Sequence, residues 1–122
     1  MSINRVVLVG NVTRDGELRE VGGSPVLEFG ICVNDRRRSQ QTGEWEDVPN
    51  FVDVTMWGKR AEAVAGHVTK GAKLGVEGKL RYRQWEAKDG SKRSKLEVVA
   101  SELEFMSRRQ ERQQEDDFGW FE

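Results

Sequence analysis

From residue 3 to residue 106 apolar positions recur at every second residue, in runs broken by glycine turns. That period sends successive side chains to opposite faces of a strand. Residues 3–9, rich in β-branched side chains, predict a first strand. Arg14-Asp15-Gly16 and Gly22-Gly23-Ser24-Pro25 predict turns. Residues 26–34 predict a second strand, with Leu27, Phe29, Ile31 and Val33 on its apolar face. Residues 35–43 contain no apolar member and predict a long exposed loop holding Arg36, Arg37 and Arg38. Residues 51–57 predict a third strand. Residues 59–67 carry alanines and valines at helical spacing and predict the one helix. Residues 73–85 predict a long fourth strand, Lys88-Asp89-Gly90-Ser91 a hairpin turn, and residues 93–105 a fifth strand.

Three strands, a short helix and two further strands form the order of an all-β, five-stranded OB-fold barrel, with the helix between strands three and four. A small β-sandwich is the alternative, and the lone helix after the third strand favours the barrel. The chain of 122 residues is one domain's worth. Residues 1–106 make the expected domain. Residues 107–122 make an expected flexible linker and acidic aromatic tip, because the apolar pattern stops there and residues 108–114 are purely polar.

The formal net charge of −1 hides an uneven distribution. Residues 1–114 hold all 20 basic and 17 of the 21 acidic residues, a net of +3. Residues 115–122 hold four acidic residues and no basic one. A mildly basic body with an acidic end allows a polyanionic partner that the total would argue against.

Sorting the strands by face shows where such a partner would lie. In the third strand Val52, Val54 and Met56 are expected in the core, while Phe51, Asp53, Thr55 and Trp57 point the other way. In the fourth, Leu74, Val76, Gly78, Leu80 and Tyr82 make the apolar face. Opposite them stand Lys73, Gly75, Glu77, Lys79, Arg81, Arg83 and Trp85, four of the seven basic. Unpaired bases stack on flat aromatic rings, and lysine and arginine neutralise the phosphates between them. Duplex DNA keeps its bases stacked internally, so this pattern predicts single strands. Trp45, beyond the arginine run, and Lys88, Lys92, Arg93 and Lys95 in the last hairpin extend the same chemistry.

The stretch Asn4-Arg5-Val6-Val7-Leu8-Val9-Gly10-Asn11 resembles the opening strand of bacterial-type single-stranded DNA-binding proteins. So, in order, do Thr42-Gly43-Glu44, Trp57-Gly58-Lys59-Arg60-Ala61-Glu62, Lys70-Gly71, Val76-Glu77-Gly78-Lys79-Leu80, Arg81-Tyr82-Arg83-Gln84-Trp85, Asp89-Gly90 and Leu96-Glu97-Val98-Val99-Ala100. The resemblance covers about residues 3–106. It implies a homotetrameric OB-fold that coats single-stranded DNA without sequence preference in replication, recombination and repair. It places stacking aromatics on Phe51, Trp57 and Trp85. Phosphate contacts fall on Arg5, Lys59, Lys70, Arg81 and Arg83, with Arg36, Arg37, Arg38 and Lys79 added from the basic pattern. The acidic tip, with Asp116, Asp117, Phe118, Trp120 and Phe121, resembles the family's docking site for partner proteins. Three positions depart from the family pattern. Arg37 stands where a stacking tryptophan is common, Val52 replaces a histidine used in tetramer contacts, and Glu122 follows Phe121 where the family ends in Pro-Phe.

Other classes find less support. The longest apolar run is far too short for a membrane span. There is no leader pattern at the N-terminus, so the cytoplasm is the expected compartment, with nucleoid DNA as partner. No P-loop occurs. One cysteine, Cys32, expected in the core, and one histidine, His67, at the end of the helix, cannot make an ordinary zinc site or catalytic dyad. Asp53 and Glu77 are too few and too isolated for a metal nuclease. No enzyme, cofactor or metal is expected. An OB-fold adaptor of the primosome type, working through protein contacts, is the alternative function.

Overall fold

The computed structural model describes residues 1–106. The linker and tip expected over residues 107–122 lie outside the described residues. The elements are β1 (Val6–Val12), β2 (Glu17–Val21), β3 (Ser24–Arg38), β4 (Trp45–Trp57), α1 (Lys59–Val64), β5 (Lys73–Glu86) and β6 (Lys92–Phe105). A 3-10 turn over Ala65–His67 continues α1. No helix among the described residues is long and apolar enough to cross a membrane.

The strands hydrogen-bond in the order β1-β5-β6-β4-β3-β2. β1 also pairs β3, Asn11 opposite Cys32 and Val12 opposite Ile31, which closes β1, β3, β4, β6 and β5 into a barrel. The β4–β6 seam is parallel, with Val54 opposite Val98 and Thr55 opposite Val99. Inside lie Leu27, Phe29 and Ile31, Val54 and Met56, Leu74 and Val76, and Val98 and Ala100. α1 adds Ala61 to this core. Six residues are too few to hold a helix by propensity, so that packing sustains it.

Two glycines permit the closure. A Cβ on Gly10 would stand 2.6 Å from the Cys32 carbonyl oxygen, where β1 meets β3. A Cβ on Gly78 would stand 2.0 Å from the Val99 carbonyl oxygen. Gly78 sits at a bulge, since its partner is Ala100 while Glu77 pairs Glu102, leaving Ser101 as the extra residue. A bulge of this kind bends and twists the ribbon.

The barrel matches the sequence expectation, with corrections at its margins. The expected loop over residues 35–43 is mostly strand: β3 runs to Arg38, paired with Trp45, and only a tight turn remains, with Ser39 N–H donating to Glu44 O at 2.8 Å. This ribbon projects past the core and needs no apolar face. Arg36 opposite Asp47 and Arg37 opposite Glu46 supply cross-strand charge pairs instead. β2, unread in the sequence, is exposed throughout and therefore shows no apolar alternation. The first strand begins later than expected, at Val6, and extends to Val12. On β5 the expected apolar face is buried only at Leu74 and Val76. Leu80 and Tyr82 are 43% and 59% exposed, because the strand outruns the barrel and alternation fixes side, not depth. Cys32 is half-buried rather than core, since its register opposite Phe51 puts it on the outer face beside Ile31's inner one.

Candidate nucleic-acid interface

Three adjacent strands build one outer face. β4 presents Phe51, Asp53 and Trp57, with Thr55 on the same side but buried beneath its neighbours, and β5 presents Lys79, Arg81, Arg83 and Trp85. β6 pairs against β5, with Lys95 opposite Arg83 and Glu97 opposite Arg81. The Arg81 guanidinium lies 5.8 Å from the Trp57 ring centre, and that of Arg83 lies 4.8 Å from Trp85, both within cation–π range. The rings remain 39% and 40% exposed, and Phe51, farther along β4, 74%.

Beneath the guanidinium groups lies Glu97, fully buried. Lys95 reaches both Glu97 and Asp53, the latter at 3.5 Å, and Arg14 approaches Asp53 at 3.9 Å. Arg14 can cross there because residue 30 is glycine: a Cβ would stand 2.7 Å from its Nη1. Four cations thus meet two carboxylates, leaving the face positive. A 230 Å³ hollow lies beside it, lined by Arg19, Val21, Thr55, Trp57, Arg81 and Arg83 among others.

The remaining sequence-predicted residues form separate groups. Arg36 lies 5.6 Å from the Trp45 ring at the β3–β4 hairpin, Arg37 pairs Glu46 at 3.2 Å, and Arg38 Nε donates to Gly43 O at 3.0 Å. Arg5 pairs Glu77 at the start of β1. Lys79 is exposed on β5, toward the barrel from Arg81. Lys59 opens α1, and Lys70 follows it, its backbone N–H donating to Asp15 at 2.8 Å. Neither lysine makes a polar contact with the tryptophan–arginine cluster among the described residues. The tip positions Asp116, Asp117, Phe118, Trp120 and Phe121 lie outside the described residues. At the β5–β6 turn, bonds from the Ser91 hydroxyl, at 2.6 Å, and from its backbone N–H hold the Asp89 carboxyl below the usual carboxylate range. A lowered folded-state value contributes stability above the unfolded value and loses it as pH falls, so this turn loosens only in acid.

Sequence reasoning passed over Arg14, Arg19 and Glu97. For Glu97 the turn signal misleads: a two-residue Asp-Gly turn would set Arg81 across from Val98, whereas the loop closes one residue wider, with Ala87 N–H donating to Ser91 O at 2.8 Å, and sets Arg81 across from Glu97.

The description "Single-strand binding protein family" belongs to the family model that matches residues 3–106. The chain is 37% identical over 105 residues to a single-stranded DNA-binding protein of Treponema pallidum, covering 85% of this chain and 58% of that protein. It is 34% identical over 122 residues to single-stranded DNA-binding protein 2 of Chlorobaculum tepidum, covering 98% and 82%. Among solved structures, a single-stranded DNA binding protein from Thermus aquaticus, a deletion mutant, aligns with a TM-score of 0.76 and 32% identity, over 88% of this chain and 52% of that one. A Plasmodium falciparum SSB complex with ssDNA aligns at 0.77 over 88% and 97%, at 21% identity, a likeness of fold. With the barrel and the basic aromatic face, these matches establish that the chain belongs to the single-strand binding protein family.

Proposed function

We propose that the protein binds single-stranded DNA without reading its sequence. The observation that carries this reading is the outer face on which Trp57 and Trp85 each lie against an arginine and remain open to solvent. Rings of this kind accept any base by stacking, and the surplus positive charge meets the phosphates. Arg5, Lys59, Lys70, Lys79 and the Arg36–Arg38 ribbon extend the path of the strand, with Phe51 as a third stacking ring. Titration of oligo-dT against a duplex of equal length, at matched salt, tests it. Oligo-dT is expected to quench tryptophan fluorescence and to bind far more tightly, with affinity falling as salt rises. Equal affinity for both DNAs would count against stacking and the proposal with it.

The same reading makes the protein a homo-oligomer, with the tetramer favoured. Val7 and Val9 on β1 are 66% and 44% exposed and border a hollow shared with Gly75 and Met106 and edged by Glu77, Glu102 and Glu104, an apolar patch with a polar rim of the kind that pairs with another subunit. Light scattering is expected to give a multiple of the chain mass. A concentration-independent value near 13.9 kDa would refute assembly.

In the cell the protein would act on nucleoid single strands in the cytoplasm during replication, recombination and repair, with residues 116–121 docking partner proteins. Four carboxylates within residues 115–122 repel phosphate, while three aromatics there offer a contact surface. Deleting residues 115–122 is expected to leave DNA affinity unchanged or slightly tighter and to abolish pull-down of replication and repair proteins. Weakened DNA binding would contradict a docking role.

A further inference from the structure

Glu97 is the one fully buried charged side chain among the described residues. An ionised carboxylate away from water is costly unless cations and hydrogen bonds surround it. Arg81 donates to its Oε2 through Nε, at 3.0 Å, and through Nη2. Arg83 Nε and Lys95 Nζ face Oε1 at 3.6 and 3.7 Å, charge contacts beyond hydrogen-bond reach. Oε1 and Arg83 Nε are both closed off from solvent, and neither has a hydrogen-bond partner. Stability alone gives little reason for this arrangement, because apolar replacements of buried ion pairs are often neutral or stabilising.

The cations around Glu97 are the ones that carry the tryptophans. Arg81 reaches from Oε2 to the Trp57 ring, and Arg83 lies between Oε1 and the Trp85 ring. An unanchored arginine samples many rotamers and loses that freedom when it meets DNA. Anchored from below, both guanidinium groups already stand beside the rings and face outward. We infer that Glu97 is a positioning residue of the DNA-binding face, holding Arg81 and Arg83 against Trp57 and Trp85. The inference rests on the single-strand reading above.

The sign of one substitution tests it. Glu97→Gln preserves shape and removes a negative charge from a face that meets phosphate. If charge alone mattered, oligo-dT would bind more tightly and with a steeper salt dependence. Positioning predicts the opposite: about tenfold weaker binding, the size of one lost cation–π or phosphate contact, and a shallower salt dependence. It also predicts that acrylamide quenches the tryptophans of the free variant more readily than those of the wild type. Glu104→Gln, which removes an exposed carboxylate elsewhere on β6, is the charge control and is expected to bind as wild type or slightly tighter. Glu97→Gln with wild-type or tighter binding and wild-type quenching would overturn the inference.

If Glu97→Gln does not fold, Arg81→Lys carries the test. Lysine keeps the charge and an ion pair, but its single ammonium cannot grip Glu97 and cover Trp57 together. Weaker binding at an unchanged salt slope, with more quenching in the free protein, supports positioning, and wild-type behaviour in both overturns it. Wild-type protein that ignores oligo-dT would fail the binding reading itself. The acrylamide comparison needs no DNA and judges the placement of the arginines separately.

Discussion

Replacing both Trp57 and Trp85 by alanine is expected to weaken oligo-dT binding by about 2–6 kcal/mol, roughly 1–3 kcal/mol for each stacked base. The two rings stand on different strands but lean on arginines that share Glu97, so the double loss is expected within this range without equalling the sum of the single losses. Neither ring belongs to the barrel core, and what they cover lies on the outer face. Each variant should therefore unfold close to wild type. Anisotropy of a labelled oligonucleotide measures the loss without relying on the fluorophores removed. The competing account makes both rings half-buried packing groups above Val26 and the β5–β6 hairpin. It predicts variants that melt far below wild type and bind normally once folded, and that result would end the stacking argument.

How legible this molecule was depends on whether a segment has a buried face. Leu27, Phe29 and Ile31 alternate with polar neighbours because one side of β3 lines the barrel, and the strand could be read from that alone. Trp57 and Trp85 were legible for the complementary reason: large aromatics in phase with Lys79, Arg81 and Arg83 cannot all be core. Residues 35–38 and β2 were not legible, because a ribbon outside the barrel buries neither face and leaves no periodicity to detect. Leu80 and Tyr82 misled for the converse reason, keeping the alternation after the core had ended. Glu97 shows a third limit. Its charge marks it as a surface residue by type, and only the cations brought in by β5 and β6 make its burial tolerable. Residue type alone puts Cys32 in the core as well, and pairing with Phe51 places it on the other side.

Phe29→Ala is expected to cost about 3–5 kcal/mol of folding stability, the largest single loss available in the barrel. Phe29 is fully buried, and it is the bulkiest of the side chains sealed in the core. It projects from β3 opposite Val54 on β4, between Leu27 and Ile31 on the same face. Truncation removes its transfer free energy and leaves a space that a closed barrel refills poorly, because the register on both sides is fixed by backbone hydrogen bonds. A domain of this size has roughly 5–15 kcal/mol in all, so the variant should keep its fold at low temperature and lose much of its thermal margin. Urea unfolding followed by tryptophan fluorescence measures it, with the midpoint falling and the slope unchanged. Oligo-dT affinity, measured well below the melting temperature, should stay near wild type, because the proposed DNA face lies on the other side of the sheet. A loss below about 1 kcal/mol would place Phe29 outside a well-packed core. A collapse of DNA affinity in folded protein would mean that the barrel interior and the binding face are coupled more tightly than the separation of faces allows.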